Sequence, residues 1–465
     1  INTNENVRGK LEPHLISALM QLENFRLGDK DRGDSLAFQE NLQTLGRIIV
    51  LESDGRINYC GILIKTNDTL TILNDNRIIN PRVFATPNEK YITASIRLLD
   101  LYDFCKDGNV LGIEPSYVLY PELDQSTVDI NASDVWNGNT GIDDKIIGND
   151  VYVGIIDGYP RTSHITFEDS DGDSRILETY NYGVLPSANY HGTHVGGIAA
   201  GRGDANANHR GIAYGAQLLF GSYNFNNVED IGGTNGVINS FQDMINKASA
   251  DNKPLVVNLS AGVQLHPHDG STFFEQVLNS LIENNVIFVK SAGNDRHSNY
   301  FIHYEDHVPD GGGTSSFTIN VDPNLDYNNN EFEVEIWYEG SLGFDVRVMN
   351  TSGDWQDWVD PGETETFDLG PDLGDVSVEV LNNGQATYNS NNDDNVILLR
   401  YYRPWPFGDV IQEGDYSIAL RAYENGSGGD FDAYSSYYTY DENNEKQRGL
   451  SFIGGDSKQS ISLPG

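Results

Sequence analysis

Three polar residues each stand where a side chain could take part in acid–base chemistry. His191 opens the segment His-Gly-Thr-His-Val-Gly-Gly, whose small residues let a helix begin close against a neighbouring strand. Asp157 ends the apolar run 151–156, and Asn294 follows the apolar run 286–289. An imidazole supported by a carboxylate is a general base, and a nearby amide can stabilise an oxyanion. The three residue types together indicate a hydrolase.

The elements that must position these residues alternate between strands and helices. The two apolar runs predict buried parallel strands. Apolar residues at helical spacing predict two core-facing helices, one carrying Val237, Phe241, Met244, Ile245 and Ala248, the other Phe274, Val277, Leu278 and Leu281. Open α/β sheets place their chemistry at the carboxyl ends of the strands. The predicted fold is therefore a doubly wound α/β parallel sheet with Asp157, His191 and Asn294 at one edge.

The chain order aspartate, histidine, asparagine resembles that of the subtilisin-like serine proteases, the subtilases. Residues 255–262 resemble the strand that pairs with the substrate backbone in this family. Residues 211–216 resemble its Gly-Val-Ala-Pro-x-Ala turn. The stretch 253–260, followed by His-Asp-Gly-Ser at 268–271, is similar to a bacterial branch with a jelly-roll insertion.

The resemblance implies a role for each site residue. Asp157 would orient His191, and His191 would take a proton from a serine and return it to the leaving amine. Asn294 would donate its amide to the oxyanion. Substrate would be held as an added strand, with broad peptide specificity, by Ser260, Ala261, Gly262 and Gly293. The resemblance implies no catalytic metal and no organic cofactor.

Two features depart from the family pattern. After Asp157 the chain has Gly-Tyr-Pro, where the family usually has Thr or Ser and then Gly. The nucleophile motif Gly-Thr-Ser-x-x-x-Pro does not occur in the 465 residues. A Gly-Thr-Ser at 313–315 lacks the proline and runs into the alternating segment 317–321, which favours a turn entering a strand over Ser315 as nucleophile. The serine is therefore expected beyond this chain, on its continuation or on a separate C-terminal chain.

Composition narrows the functional classes. The chain carries 69 acidic and 29 basic residues, a formal net charge of −40, which disfavours nucleic-acid partners. No apolar run approaches the roughly 20 residues of a membrane-spanning helix. The first residue is Ile, which suggests a removed signal peptide and a secreted or cell-surface bacterial protein whose partners are protein or peptide substrates.

The N-terminal residues 1–122 predict a small α+β domain of the split βαβ kind. Strands are expected at 47–51, 61–64, 69–72 and 111–114, with a helix carrying Ile92, Ile96 and Leu99. Residues 117–124 are similar to the tail that subtilase propeptides lay in the active-site groove, so the resemblance implies a retained propeptide. An unrelated accessory domain is the alternative. Cys60 and Cys105 leave open one disulfide or two buried thiols, and their apolar surroundings favour thiols.

The remaining chain divides at about residue 300. Residues 123–300 are expected to form the first part of the catalytic domain. Residues 301–465 predict an inserted antiparallel β-sandwich, the jelly roll, because apolar and polar residues alternate in five segments, 332–336, 344–348, 376–380, 396–399 and 416–420.

Weaker signals leave other functions open. Alternating carboxylates at 169–173 resemble a calcium loop, but Tyr180 stands where such a loop needs its bidentate glutamate, so a solvated turn is favoured. Trp355, Trp358 and Trp405 could stack on sugar, although cross-strand packing is the commoner use of such aromatics. The alternatives to a serine endopeptidase are therefore a non-catalytic subtilase-fold binding or regulatory protein and a cell-surface glycan-binding protein.

Overall fold

A computed structural model describes most of the chain. The ranges that it describes are 5–28, 59–85, 89–116, 120–121, 132–137, 146–182, 190–204, 210–223, 233–262, 265–282, 285–292, 303–321, 331–350, 352–370, 376–385, 394–402, 411, 414–435, 439–440, 446–447 and 450–453. Within them, no helix has the length and apolar character needed to cross a membrane.

Among its described residues, the N-terminal part combines four helices with an antiparallel sheet of strand order β2-β3-β1-β4. Its elements are α1 (Glu5–Arg8), α2 (Pro13–Gly28), β1 (Tyr59–Thr66), α3 (Thr69–Leu73), β2 (Ile78–Ala85), β3 (Lys90–Arg97), α4 (Leu98–Phe104) and β4 (Val110–Pro115). The predicted strands at 61–64 and 111–114 are confirmed as parts of β1 and β4, and the strand predicted at 47–51 lies outside the described residues. Cys60 and Cys105 are buried free thiols, as favoured from the sequence.

Two sequence predictions in this region were wrong. The segment predicted as a strand at 69–72 is helix α3, because the Asp68 carboxylate accepts N–H bonds from Leu70 and Thr71 and caps a helix start. The predicted helix carrying Ile92 and Ile96 is strand β3, and helix α4 begins only at Leu98. Both isoleucines lie on the same face of β3 and are buried in one core with α2 and α4.

The central part is a five-stranded parallel sheet of order β11-β9-β6-β8-β7. Its strands are β6 (Tyr152–Asp157), β7 (Ile176–Tyr182), β8 (Gln217–Tyr223), β9 (Leu255–Leu259) and β11 (Val286–Lys290). Its helices are α5 (Ala132–Asn137), α6 (Tyr190–Ala200), α7 (Gly233–Ala250) and α8 (Phe273–Leu281), with a 3-10 turn at Ile165–Phe167. The apolar faces predicted for α7 and α8 pack on this sheet. Two short strands, β5 (Tyr120–Pro121) and β10 (Ala261–Gly262), pair with each other.

The C-terminal part is a sandwich of two antiparallel sheets with a shared apolar core. One sheet has the order β12-β20-β14-β18-β17-β16 and the other β15-β19-β13-β23. The strands are β12 (His303–Val308), β13 (Thr314–Val321), β14 (Glu331–Glu339), β15 (Phe344–Met349), β16 (Thr364–Asp368), β17 (Ser377–Gln385), β18 (Asp394–Tyr402), β19 (Gly414–Ala422), β20 (Gly429–Ser435) and β23 (Leu450–Phe452), with a hairpin of β21 (Thr439–Tyr440) and β22 (Lys446–Gln447). The alternating segments thus form the predicted antiparallel strands.

The end of β4 caps α7 and α8, two of the helices that pack on the parallel sheet. The Glu114 carboxylate accepts the N–H of Phe273 at 2.8 Å, at the start of α8. The Ser116 hydroxyl accepts the N–H of Asn235 at 3.2 Å, at the start of α7. Unsatisfied N–H groups at a helix start favour such acceptors. These bonds fix the N-terminal sheet on the two helices.

Substituting Glu114 by glutamine is expected to stabilise the chain at alkaline pH. Burial raises the pKa of Glu114 to about 8, against about 4.3 for an unperturbed glutamate. Between those values the folded chain retains a proton that the unfolded chain has lost, so the free energy of unfolding falls as pH rises through this window. We expect the melting temperature of Glu114→Gln to exceed that of the wild type, by a margin that grows from pH 5 to pH 8. At pH 8 the free energy of unfolding of the variant should be higher by about 1–4 kcal/mol.

The matched control is Glu305→Gln, at an exposed position on β12. Its melting temperature should differ from that of the wild type by an amount that does not vary with pH. A Glu114→Gln advantage that shrinks as pH rises would show that the buried carboxyl is ionised in the folded chain.

Candidate active site

Asp157 is the last residue of β6, at the carboxyl end of the central strand of the parallel sheet. Its side chain is fully buried. Oδ1 accepts the backbone N–H of Gly158 at 2.7 Å and lies 2.8 Å from Nδ1 of His191, and Oδ2 lies 3.0 Å from the same nitrogen. The prediction that Asp157 lies within hydrogen-bond reach of His191 is confirmed.

His191 lies in the first turn of α6, and glycines allow that turn to approach the sheet. A side chain at Gly192 would overlap the carbonyl oxygen of Gly158, in the turn that follows β6. A Cβ at Gly196 would lie 2.7 Å from the Phe220 ring on β8. Gly192 and Gly196 are therefore required by the close contact that places the imidazole beside the carboxylate.

The electrostatics of the pair follow from its burial. Loss of hydration raises the pKa of Asp157, while the hydrogen bond and charge of His191 and the N–H of Gly158 act in the opposite direction. The His191 side chain keeps 15% of its surface exposed, so the ring reaches solvent at the edge of the sheet. With Nδ1 facing the carboxylate, Nε2 is the nitrogen positioned to exchange a proton with a substrate group.

The unusual turn after Asp157 does not displace the pair. The backbone N–H of Arg161 donates to the Thr193 hydroxyl at 2.8 Å, which ties the turn to the first residues of α6. Gly158 and Thr193 are positioning groups that sequence reasoning missed. Nothing in the sequence distinguished Gly158 as a backbone donor, whereas Thr193 stands inside the histidine motif and could have been considered.

A buried arginine fixes the far end of α6. The Arg175 guanidinium donates to the carbonyl of Ala200, the last residue of the helix, at 2.7 Å. It also donates to four other backbone carbonyls, those of Thr166, Glu168, Tyr214 and Ala216. The sequence carries no signal for this role of Arg175, because its partners are backbone atoms from separate segments.

The predicted substrate-binding strand is occupied by another part of the chain. Ala261 and Gly262 form β10, which pairs antiparallel with β5, Pro121 opposite Ala261 and Tyr120 opposite Gly262. The Ser260 side chain is buried, and its hydroxyl accepts a bond from the Asn258 amide at 2.9 Å. The placement of the 117–124 tail on this strand, which the resemblance implies, is confirmed for Tyr120 and Pro121.

The structure places the other predicted residues as follows. Asn294 and Gly293 lie outside the described residues. Ser315 lies in β13, is buried and donates its hydroxyl to Asp306 on β12, which confirms the strand interpretation of 313–321. In the segment 169–173 the Asp169 carboxylate accepts the N–H groups of Asp171 and Asp173, and a calcium ion there stays a prediction.

The site is thus a buried aspartate bonded to a histidine at the carboxyl edge of a parallel sheet, an arrangement that suits a general base. Residues 148–350 match the model of the subtilase family, Peptidase_S8. This match shows that residues 148–350 are similar to the subtilases, a family of serine proteases.

The chain is also similar to solved structures of proteases. The chain is similar to the CspB protease of Clostridium perfringens, with 20% identity over 70% of this chain and 66% of that one, at a TM-score of 0.56. It also matches the epidermin leader peptide processing serine protease EpiP from Staphylococcus aureus, with 15% identity over 51% of this chain and 61% of that one, at a TM-score of 0.34. The chain thus spans less than two thirds of these proteins. The likeness to CspB shows a shared fold.

Proposed function

We propose that this chain carries the aspartate and histidine of a secreted bacterial subtilisin-like serine endopeptidase. The contact of Asp157 with His191 is the observation that carries the proposal, because a general base needs an orienting carboxylate on its other nitrogen. The match of residues 148–350 to the subtilase family model supports the same reaction class. The substrates proposed are proteins or peptides, and residues 123–300 are proposed as the first part of the catalytic domain.

The chemistry follows from the pair. His191 takes the proton of the serine hydroxyl as that oxygen attacks the scissile carbonyl, and Asp157 stabilises the imidazolium that forms. The same histidine then protonates the leaving amine. Asn294 is proposed to donate its amide to the oxyanion, and in a subtilisin the loss of that donor lowers turnover by about 10² to 10³.

We place the serine on polypeptide outside residues 1–465, either continuous with the chain or as a separate chain. The sheet supports this proposal through its edge strand β11, whose only strand neighbour among the described residues is β9. Ile287 is 58% exposed and Val289 is 46% exposed on this strand. Exposed apolar side chains on an open edge favour cover by further polypeptide.

The N-terminal part is proposed as a retained propeptide, residues 1–122, and the sandwich, residues 301–465, as an inserted jelly roll. Two observations support the propeptide. Strand β5 pairs with β10 as a substrate strand would. The end of β4 caps α7 and α8. A chain segment paired with the proposed substrate strand would compete with substrate for it, so the proposal is a zymogen.

Cleavage of a mixed peptide library by the complete gene product tests the proposed function. We expect endopeptidase cleavage once β5 has been displaced or cut, with little dependence on side chains, because recognition runs through the substrate backbone. A gene product that ends at Gly465 and cleaves no peptide would contradict the proposal and favour the non-catalytic alternative.

A synthetic peptide of residues 115–122 is expected to compete with substrate in the activated protease. Pro121 has no N–H, so backbone donation from this two-residue strand depends on Tyr120. Methylation of the Tyr120 nitrogen should therefore weaken inhibition by about 2- to 12-fold, the value of one hydrogen bond. The inhibition constants are to be compared with that of a scrambled peptide. Equal inhibition by all three peptides would show that β5 does not occupy the substrate strand.

A further inference from the structure

A second group of ionisable side chains lies buried where the N-terminal segment meets the sandwich. Glu12 and His14 stand at the start of α2, and Glu335 lies in the middle of β14. Each of the three residues is less than 5% exposed. The group does not contain Asp157 or His191, and the proposed peptidase mechanism makes no use of it.

The three side chains present one ligand atom each to a common point. Nδ1 of His14 lies 2.8 Å from Oε1 of Glu12 and 3.6 Å from Oε1 of Glu335. All three atoms lie within 4.8 Å of one another. Zinc–nitrogen and zinc–oxygen bonds of about 2.0–2.2 Å in a tetrahedron require ligand atoms roughly 3.3–3.6 Å apart. The observed separations of 2.8 Å and 3.6 Å lie close to this spacing, so small side-chain movements would let all three atoms bind one ion.

The side-chain atoms that do not face the common point make the kind of contacts that surround the ligands of a metal site. Oε2 of Glu335 accepts the N–H of His266 at 2.6 Å and the indole N–H of Trp337 at 2.9 Å. Nε2 of His14 lies 3.4 Å from Oε2 of Glu333. A metal-binding histidine ordinarily gives its second ring N–H to a carboxylate, and its carboxylate co-ligands are themselves hydrogen-bonded.

The charge of the group also favours a cation. Glu12 and Glu335 face the same imidazole nitrogen, and all three side chains are buried. Buried carboxylates are costly unless they are paired or coordinate a metal. One shared imidazolium supplies a single positive charge to these two groups, whereas a divalent ion would balance both.

We propose that Glu12, His14 and Glu335 bind one divalent transition-metal ion, zinc in preference to the others. One imidazole and two carboxylates form a ligand set that suits zinc, and calcium and magnesium prefer oxygen ligands alone. On binding, Nδ1 of His14 gives up its proton to solvent and donates its lone pair to the metal, while Nε2 keeps its proton beside Glu333. The ion would fasten the start of α2 to the sandwich.

Zinc titration of the chelator-treated chain, against a chromophoric competitor, tests this assignment. We expect one equivalent to bind, and His14→Gln and Glu335→Gln each to weaken binding at least about 100-fold. The matched controls are His303→Gln and Glu305→Gln, which belong to another cluster with Asp432 on the sandwich. These controls should bind zinc as the wild type does.

Each alternative result has a defined meaning. If the wild type binds no stoichiometric zinc, or if His303→Gln abolishes binding and His14→Gln does not, the assignment is wrong. If His14→Gln does not fold, the test is made instead on the wild type and His303→Gln, each loaded with cobalt. A visible absorption band typical of four-coordinate cobalt in both proteins, with a melting temperature that chelator lowers again, supports the site. Absence of the band from the wild type overturns it.

Discussion

Replacing His191 by alanine is expected to lower kcat of the activated, complete gene product by about 10⁴- to 10⁶-fold, the range for single triad substitutions in a subtilisin. The loss follows because the serine would have no base to remove its proton, and Asp157 would keep a buried carboxylate without its partner. Turnover of a fluorogenic peptide by wild type and variant provides the measurement.

His194 supplies the matched control, since it lies one turn further along α6 and is exposed. His194→Ala should retain kcat within about twofold, because surface substitutions ordinarily have small effects. Comparable activity in His191→Ala and the wild type would remove the histidine from the mechanism and favour the non-catalytic alternative.

Replacing Gly192 by valine is expected to lower kcat by about 10²-fold or more while His191 and Asp157 remain in the sequence. The new side chain would overlap the Gly158 carbonyl, so the start of α6 must move away from β6. A displacement of about 1 Å at a catalytic group can cost this much. Overpacking should also destabilise the chain by about 1–3 kcal/mol, to be measured as a lower melting temperature.

Gly197→Ala separates this effect from a general change of helix α6. No atom lies within 4 Å of a Cβ built at Gly197, so alanine fits without contact. We expect unchanged kcat and a gain of up to about 1 kcal/mol, since alanine favours helix over glycine. A Gly192→Val protein as active as Gly197→Ala would show that the close contact with Gly158 does not set the position of His191.

The catalytic pair could be predicted because local patterns determine it. The apolar run before Asp157 and the small residues behind His191 each specify an element, and parallel strands bring their carboxyl ends to one edge. The strands of the sandwich follow from alternation in the same way. Such signals depend on neighbouring residues alone, so they survive without knowledge of the tertiary fold.

The failures arose where tertiary contacts or a single cap outweigh local periodicity. Ile92 and Ile96 are spaced as on a helix, yet strand β3 is buried on both faces, which removes the alternation that identifies a strand. At 69–72, the Asp68 cap decides for a helix over an apolar strand-like run. The contacts of Glu114 and Arg175 join segments far apart in the sequence, where no spacing rule applies.

Fluorophosphonate labelling of the complete gene product, followed by mass-spectrometric mapping of the modified residue, tests the central claim most directly. This reagent modifies a serine that a histidine base has activated. We predict one labelled serine outside residues 1–465, with labelling strongly reduced in His191→Ala and Asp157→Asn and retained in His194→Ala. An activated, complete product, with β5 displaced or cut, that takes no label would contradict the proposal that Asp157 and His191 serve a nucleophile supplied from outside this chain. Label on Ser315 or another serine within residues 1–465 would contradict it equally.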